Sequence, residues 1–277
     1  MASLRNADMY LADYHVHSAW SPDGKHSIEE LAAQAVKIGL NELCITDHVD
    51  TYYWKGYTPR DEFCWDEPKA DLFRAKERFG DRLKIRLGAE LGEAYWSFER
   101  MEKILAEAPP LDFCIGSVHM AAARHGKFDL YFIKEESDEY YHDVIDGYME
   151  DMALLARWGK FDVLGHLTLP LRYINEHHHR ALTFEKHMHQ VEDIFRIIIP
   201  KGIGIECNTN RGNAPLPNAD ILKIYHDMGG EIITLGSDAH DPSFVGCRIK
   251  ETQELLRSCG LRYTTTFDKH KPEFHPL

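Results

Sequence analysis

Short apolar runs alternate along this chain with longer amphipathic stretches. The runs read as strands over residues 10–15, 42–46, 83–87, 112–116, 161–164, 203–207 and 231–235. The longer stretches read as helices over 28–38, 69–79, 96–107, 136–158, 184–199, 219–228 and 250–258, followed by a tail strand at 262–267. Ser27-Ile28-Glu29-Glu30 has the form of a capping box and opens the first helix; Gly39 ends it. Pro109-Pro110 stops the third, because a residue before proline is pushed away from helical backbone angles. The result is seven strand–helix repeats without a linker, an internal repeat or a low-complexity stretch, so one domain over residues 1–277 is expected. Such alternation favours parallel strands joined by right-handed crossovers.

The polar residues that close these strands change the picture. Asp13-Tyr14-His15-Val16-His17, Thr46-Asp47-His48, Gly88-Ala89-Glu90, Ser117-Val118-His119, Gly165-His166 and Gly236-Ser237-Asp238-Ala239-His240 each follow an apolar run. An open doubly wound sheet gathers its ligands at one switch point, whereas a closed barrel delivers them from every strand to one rim. Imidazole and carboxylate donors suit zinc, iron or manganese, and several such ions together make a hydrolytic site. His15 and His17 lie two apart and face the same side of a strand, with Asp13 placed to orient a ligand ring. The competing reading, a rim of buried polar residues without metal, carries a heavy desolvation cost.

Composition narrows the function. The net charge of −13 argues against a nucleic-acid partner, since that affinity depends on Lys and Arg neutralising phosphates; a small phosphorylated metabolite stays compatible. No apolar run approaches the roughly 20 residues of a membrane span, and residues 1–10 lack an apolar signal core, so a cytoplasmic protein is expected. The six cysteines form no CxxC pair; Cys44, Cys114 and Cys207 fall inside strands and read as reduced structural thiols. No GxSxG, P-loop or dinucleotide fingerprint occurs in a suitable setting.

The ordered set of strand-end motifs, from Asp13-x-His15-x-His17 to Ser237-Asp238-x-His240, resembles the polymerase-and-histidinol-phosphatase (PHP) superfamily over nearly the whole chain. The resemblance implies a distorted (β/α)7 barrel with three divalent metal ions, zinc, iron or manganese, at the C-terminal strand ends. It implies His15, His17, Glu90 and Asp238 for the first ion, Glu90, His119 and His166 for the second, and Asp23, His48 and His240 for the third, with Glu90 bridging. Asp23 lies in the turn Ser21-Pro22-Asp23-Gly24, and some relatives use His there. Glu206-Cys207-Asn208-Thr209 closing strand six, an arginine after the strand-five histidine, and the tail Thr266-Phe267-Asp268-Lys269-His270-Lys271-Pro272 are similar to the histidinol-phosphatase branch. That branch hydrolyses L-histidinol phosphate in histidine biosynthesis.

The expected chemistry is in-line attack of a metal-activated water on a phosphate ester, with Asp238 or His240 moving a proton and Arg172 and Arg211 binding phosphate. Asn210 stands where some relatives place the arginine, which displaces Arg211 by one residue. The aromatic segment 51–57 is placed to wall the substrate by stacking, and Asp50 and Glu93 to meet its amine. His177-His178-His179 reads as a solvated loop, His187 and His189 as surface groups, and His26, His125, His142, His226, His270 and His275 as histidines without ligand context. The rivals are a sugar or nucleotide phosphatase or a protein tyrosine phosphatase on the same scaffold, and a non-catalytic metal-binding or nuclease-like module.

Overall fold

The structure, a computed structural model, describes residues 9–277; residues 1–8 of the segment read as lacking a signal core lie outside the described residues. Seven strands, β1 Ala12–Val16, β2 Glu42–Ile45, β3 Lys84–Gly92, β4 Phe113–Ser117, β5 Val163–Leu164, β6 Gly204–Asn208 and β7 Ile233–Gly236, form one parallel sheet in sequence order. Its edges meet: Val16 bridges Ala239, His17 N–H donates to Ala239 O (2.9 Å) and Asp238 N–H to His15 O (2.8 Å). The sheet therefore curls into a nearly closed barrel, as ligands spread over its strands require.

Around it lie α1 Ile28–Ile38, α2 Asp66–Phe79, α3 Phe98–Ala106, α4 Asp138–Trp158, α5 Pro170–His178, α6 Met188–Ile198, α7 Ala219–Asp227 and α8 Ile249–Ser258. The capping box forms: the Ser27 hydroxyl accepts from Glu30 N–H while the Glu30 carboxylate accepts from Ser27 N–H, and Gly39 turns the chain at φ 81°. Among the described residues, no helix is long and apolar enough to cross a membrane.

Two apolar cores result. The larger fills the space between barrel and helices, with Leu31, Leu43, Ile85, Ile145, Val191 and Ile221 among its members. The smaller, Ala12, Tyr14, Cys44, Phe113, Ile115, Val163 and Phe267, fills the barrel interior. Phe267 arrives from a C-terminal hairpin, β8 Tyr263–Asp268 and β9 Lys271–Pro276, which plugs the end opposite the ligands. Phe267 N–H donates to the Tyr14 hydroxyl (2.9 Å), which donates to Glu42 (2.7 Å).

Four elements differ from expectation. The tail strand is half of this hairpin: Lys269 and His270 reverse the chain at φ 51° and 62°, without the Gly or Asn that announces such a turn. His177 and His178 belong to α5, begun by Pro170 at a position where proline's missing N–H costs nothing; His179 ends it at φ 51°. β3 runs on to Gly92 because the short strand His48–Asp50 pairs with its far end, His48 opposite Glu90. Short 3-10 turns precede α3 and α6, delaying both.

Candidate metal centre

All nine expected donors meet at the C-terminal rim. Glu90, near the end of β3 and 1% exposed, sits at the centre. Its Oε1 lies 3.0 Å from His166 Nε2, 3.1 Å from His119 Nε2 and 3.3 Å from His15 Nε2. Its Oε2 lies 3.0 Å from His48 Nδ1 and 3.5 Å from His17 Nε2. Asp238 Oδ1 is 3.5 Å from His17 Nε2 and 3.8 Å from His15 Nε2. At the open side, Asp23 Oδ2 lies 2.9 Å from His240 Nε2, and its Oδ1 3.8 Å from His48 Nε2. The donors form overlapping sets able to hold an ion: His15, His17 and Asp238; His15, Glu90 and His166; His48, Glu90 and His119; and His17, Asp23, His48 and His240.

These residues fit metal binding better than a hydrogen-bonded rim. His15 Nε2, His17 Nε2, His48 Nδ1, His240 Nε2 and Glu90 Oε2 are buried and have no hydrogen-bond partner, although opposite charges lie close by. Buried polar atoms are nearly always bonded, so a cluster of unpartnered imidazole and carboxylate atoms suits metal ligation. Burial opposes ionisation of Glu90, but His15, His119 and His48 outweigh it and hold the carboxyl well below its usual range. Burial, with His240 and His48 adjoining, pushes His17 down to about 3 and keeps it neutral, as a ligand must be.

The groups behind the donors are less legible in the sequence. His15 Nδ1 lies 2.6 Å from Glu206 Oε1 on β6, while Glu206 Oε2 accepts from His166 N–H (2.7 Å). Asp13, expected to orient a ligand ring, instead accepts from Ser237 N–H and O–H and from Gly246 N–H (2.9, 2.6 and 2.7 Å), so it locks β1 to β7. Glu206 takes the orienting role, and Gly236 makes room for it: a Cβ there would stand 2.2 Å from Glu206 Oε1. Only the Glu-x-Asn-Thr pattern pointed to it. His17 Nδ1 meets Ser21 Oγ (3.0 Å), whose hydroxyl donates to Asp47 (2.8 Å), and Ser117 donates to Glu90 (2.7 Å).

A cleft of about 560 Å³ opens above the donors. Tyr52, Trp54 and Tyr57 wall one side, as the aromatic segment predicts, and Tyr131, Phe132 and Tyr173 add a wall that sequence reading missed. Arg172 and Arg211 both line it, unequally. Arg172, 4% exposed, donates from Nη1 to Asp238 Oδ2 (2.6 Å), from Nε to Asn210 (2.6 Å) and from Nη2 to Asn208 (3.1 Å). Burial opposes ionisation of Asp238, but Arg172 and then His15 hold its carboxyl well below the usual range. Arg211 is exposed.

Asp50 and Glu93 do not reach the cleft. Glu93 accepts from the backbone N–H of His119 and Met120, and Asp50 accepts from Trp54 Nε1 (2.6 Å). His187 is buried rather than superficial, its Nδ1 2.9 Å from Asp146 and its Nε2 2.9 Å from His142 Nδ1. His178 Nε2 meets Ile133 O (2.8 Å), so it braces α5 and does not float in a loop.

Fold and rim together define a class: parallel α/β barrels with a dense set of imidazole and carboxylate donors at the C-terminal strand ends. Residues 13–210 match the model of the PHP domain, and the chain belongs to that family. It is similar to the histidinol-phosphatase of Lactococcus lactis subsp. lactis, 26% identical over 268 residues covering 94% of this chain and 95% of the relative. Its fold is shared with the crystal structure of histidinol phosphate phosphatase from the same organism, complexed with zinc, L-histidinol and phosphate: TM-score 0.77, 23% identity, 95% of this chain and 98% of that one covered.

Proposed function

We propose that this chain is a single catalytic domain that hydrolyses L-histidinol phosphate to L-histidinol and phosphate, as a step of histidine biosynthesis. One observation carries the reading: a buried carboxylate, Glu90, with five imidazoles within 3.5 Å and several of their nitrogens unpartnered. The matching relative and solved structure supply the substrate. Three divalent ions would bind: His15, His17, Glu90 and Asp238 would hold the first, Glu90, His119 and His166 the second, and Asp23, His48 and His240 the third. Such ions acidify a water for attack on phosphorus and neutralise charge on the phosphoryl group.

The chain's own groups do the rest. Glu206 and Ser21 fix the His15 and His17 rings. Asp238, kept ionised by Arg172, or His240 accepts the proton of the attacking water. The P–O bond to the alcohol breaks as the new P–O bond forms, and that proton ends on the departing oxygen. Arg211 holds phosphate oxygens at the mouth, and the aromatic walls exclude water from the organic end.

The test is elemental analysis of protein purified without chelator, followed by kcat/KM on metal-loaded protein for histidinol phosphate, sugar phosphates, nucleotides and a phosphotyrosine peptide. About three ions per chain and a preference for histidinol phosphate are expected. No bound metal, with no activity regained from zinc, iron or manganese, overturns the chemistry. A better sugar phosphate or phosphopeptide overturns the substrate and leaves the chemistry standing.

A further inference from the structure

The cleft contains one acid that the metal chemistry does not use. Asp129 lines it, on the segment that returns antiparallel to the strand end carrying His119: Met120 pairs with Asp129, and Leu130 N–H donates to His119 O (3.0 Å). Asp129 Oδ1 accepts from Tyr131 N–H (2.8 Å) and so caps the short 3-10 turn Leu130–Phe132. Capping needs one oxygen only, and an asparagine serves as well. Among the described residues, no arginine, lysine or histidine forms an ion pair with this carboxylate. The same cleft is lined by Tyr52, Trp54, Tyr57, Tyr131, Phe132 and Tyr173. Tyr57, Tyr131 and Phe132 are 41%, 55% and 64% exposed, an apolar rim with nothing yet to cover. A carboxylate without a counter-charge among aromatic faces is a receptor for an organic cation: the acid supplies charge, and the rings supply stacking and cation–π attraction.

The cleft is also polarised. Asp129 follows β4, whereas Arg211, exposed at the mouth, follows β6, two strands on around the ring of seven. One side thus presents guanidinium to an anion and the other presents carboxylate to a cation. Histidinol phosphate has that polarity, with phosphate at one end and an ammonium and a protonatable imidazole at the other. A sugar phosphate has no cation.

Resting on the function proposed above, we propose that Asp129 is the specificity-determining residue that pairs with a cationic nitrogen of the substrate. The two other acids expected to meet the amine lie outside the cleft lining and are occupied, Glu93 by backbone N–H groups and Asp50 by Trp54.

Asp129→Asn separates charge from capping, because it keeps the cap and removes only the charge. kcat/KM is measured for wild type and variant on histidinol phosphate, on phenyl phosphate, and on two analogues, one lacking the amine and one lacking the imidazole. The ratio of histidinol phosphate to phenyl phosphate should fall about tenfold to a hundredfold in the variant, the range expected for a lost charge-assisted bond, with metal content unaltered. The analogue that stays sensitive to the substitution names the nitrogen. Equal losses on histidinol phosphate and phenyl phosphate, or an unchanged ratio, overturn the assignment of Asp129 and leave the phosphatase reading intact. A wild-type enzyme that does not favour histidinol phosphate overturns both.

Discussion

Arg172 and Arg211 look alike in the sequence, each a few residues past a strand end, and the structure separates them. The decisive perturbation is Arg172→Ala beside Arg211→Ala. Arg172 is 4% exposed and is the closest cationic partner of the Asp238 carboxylate at 2.6 Å, and it also ties down Asn208 and Asn210. Removing one member of a buried, hydrogen-bonded charge pair costs about 3–5 kcal/mol, because the other charge stays buried. At roughly 2–4 °C per kcal/mol for a chain of this size, the metal-free protein should lose about 6–20 °C in Tm. Asp238, freed to move, should also bind its ion less tightly, so metal content falls with stability. Arg172→Lys keeps a charge but cannot make three bonds in that plane, and should fall between. Arg211 is exposed, so Arg211→Ala should change stability by no more than about 0.5 kcal/mol. Its kcat/KM should still drop about ten- to a hundredfold, the worth of one charge-assisted bond to phosphate. Thermal unfolding with and without chelator, elemental analysis and steady-state kinetics read all three quantities. If Arg172→Ala keeps the wild-type Tm and full metal content and loses only kcat/KM, the ion pair with Asp238 does not govern the site, and Arg172 is a free phosphate fork.

Glu90→Gln should reduce activity and metal content more than His17→Ala, since Glu90 is assigned to two ions and His17 to one; near-normal turnover with full metal refutes the bridge. Glu206→Gln weakens the acceptor of His15 without touching a metal, and should cost about 10–100-fold in metal affinity or activity, read by competition with a chelator. His270 lies 2.8 Å from Asp162, and that hydrogen bond raises its pKa above the ordinary value. Its contribution to stability is present below about pH 6.5 and is lost as pH rises through the folded-state value, so His270→Gln should flatten the fall of the urea midpoint above about pH 6.5. A pH profile identical to wild type would dissociate the hairpin turn from this pair.

Eight of the nine donors were legible in the sequence because they stand where strands end, and strand ends are announced locally by a short apolar run and the polar residue that closes it; Asp23, in a turn, was reached only through the family resemblance. Parallel alternation then dictates that all such ends share one rim. What the donors lean on was decided by closure. Glu206 meets His15 across 191 positions and Arg172 meets Asp238 across 66, and neither pairing has a local signal. Asp13 shows the reverse: its spacing placed it beside the ligand rings, and the seam between β1 and β7 claimed it. α5 was obscured by three histidines that read as solvated; two of them close the helix, and His178 is held by the Ile133 carbonyl, a contact with no local signal. The terminal hairpin turns on two residues held at positive φ with no glycine, a conformation that its anchoring to the barrel, not its composition, selects. Local patterning thus placed the chemistry on the rim, while the pairings that orient and charge it exist only once the ring is closed.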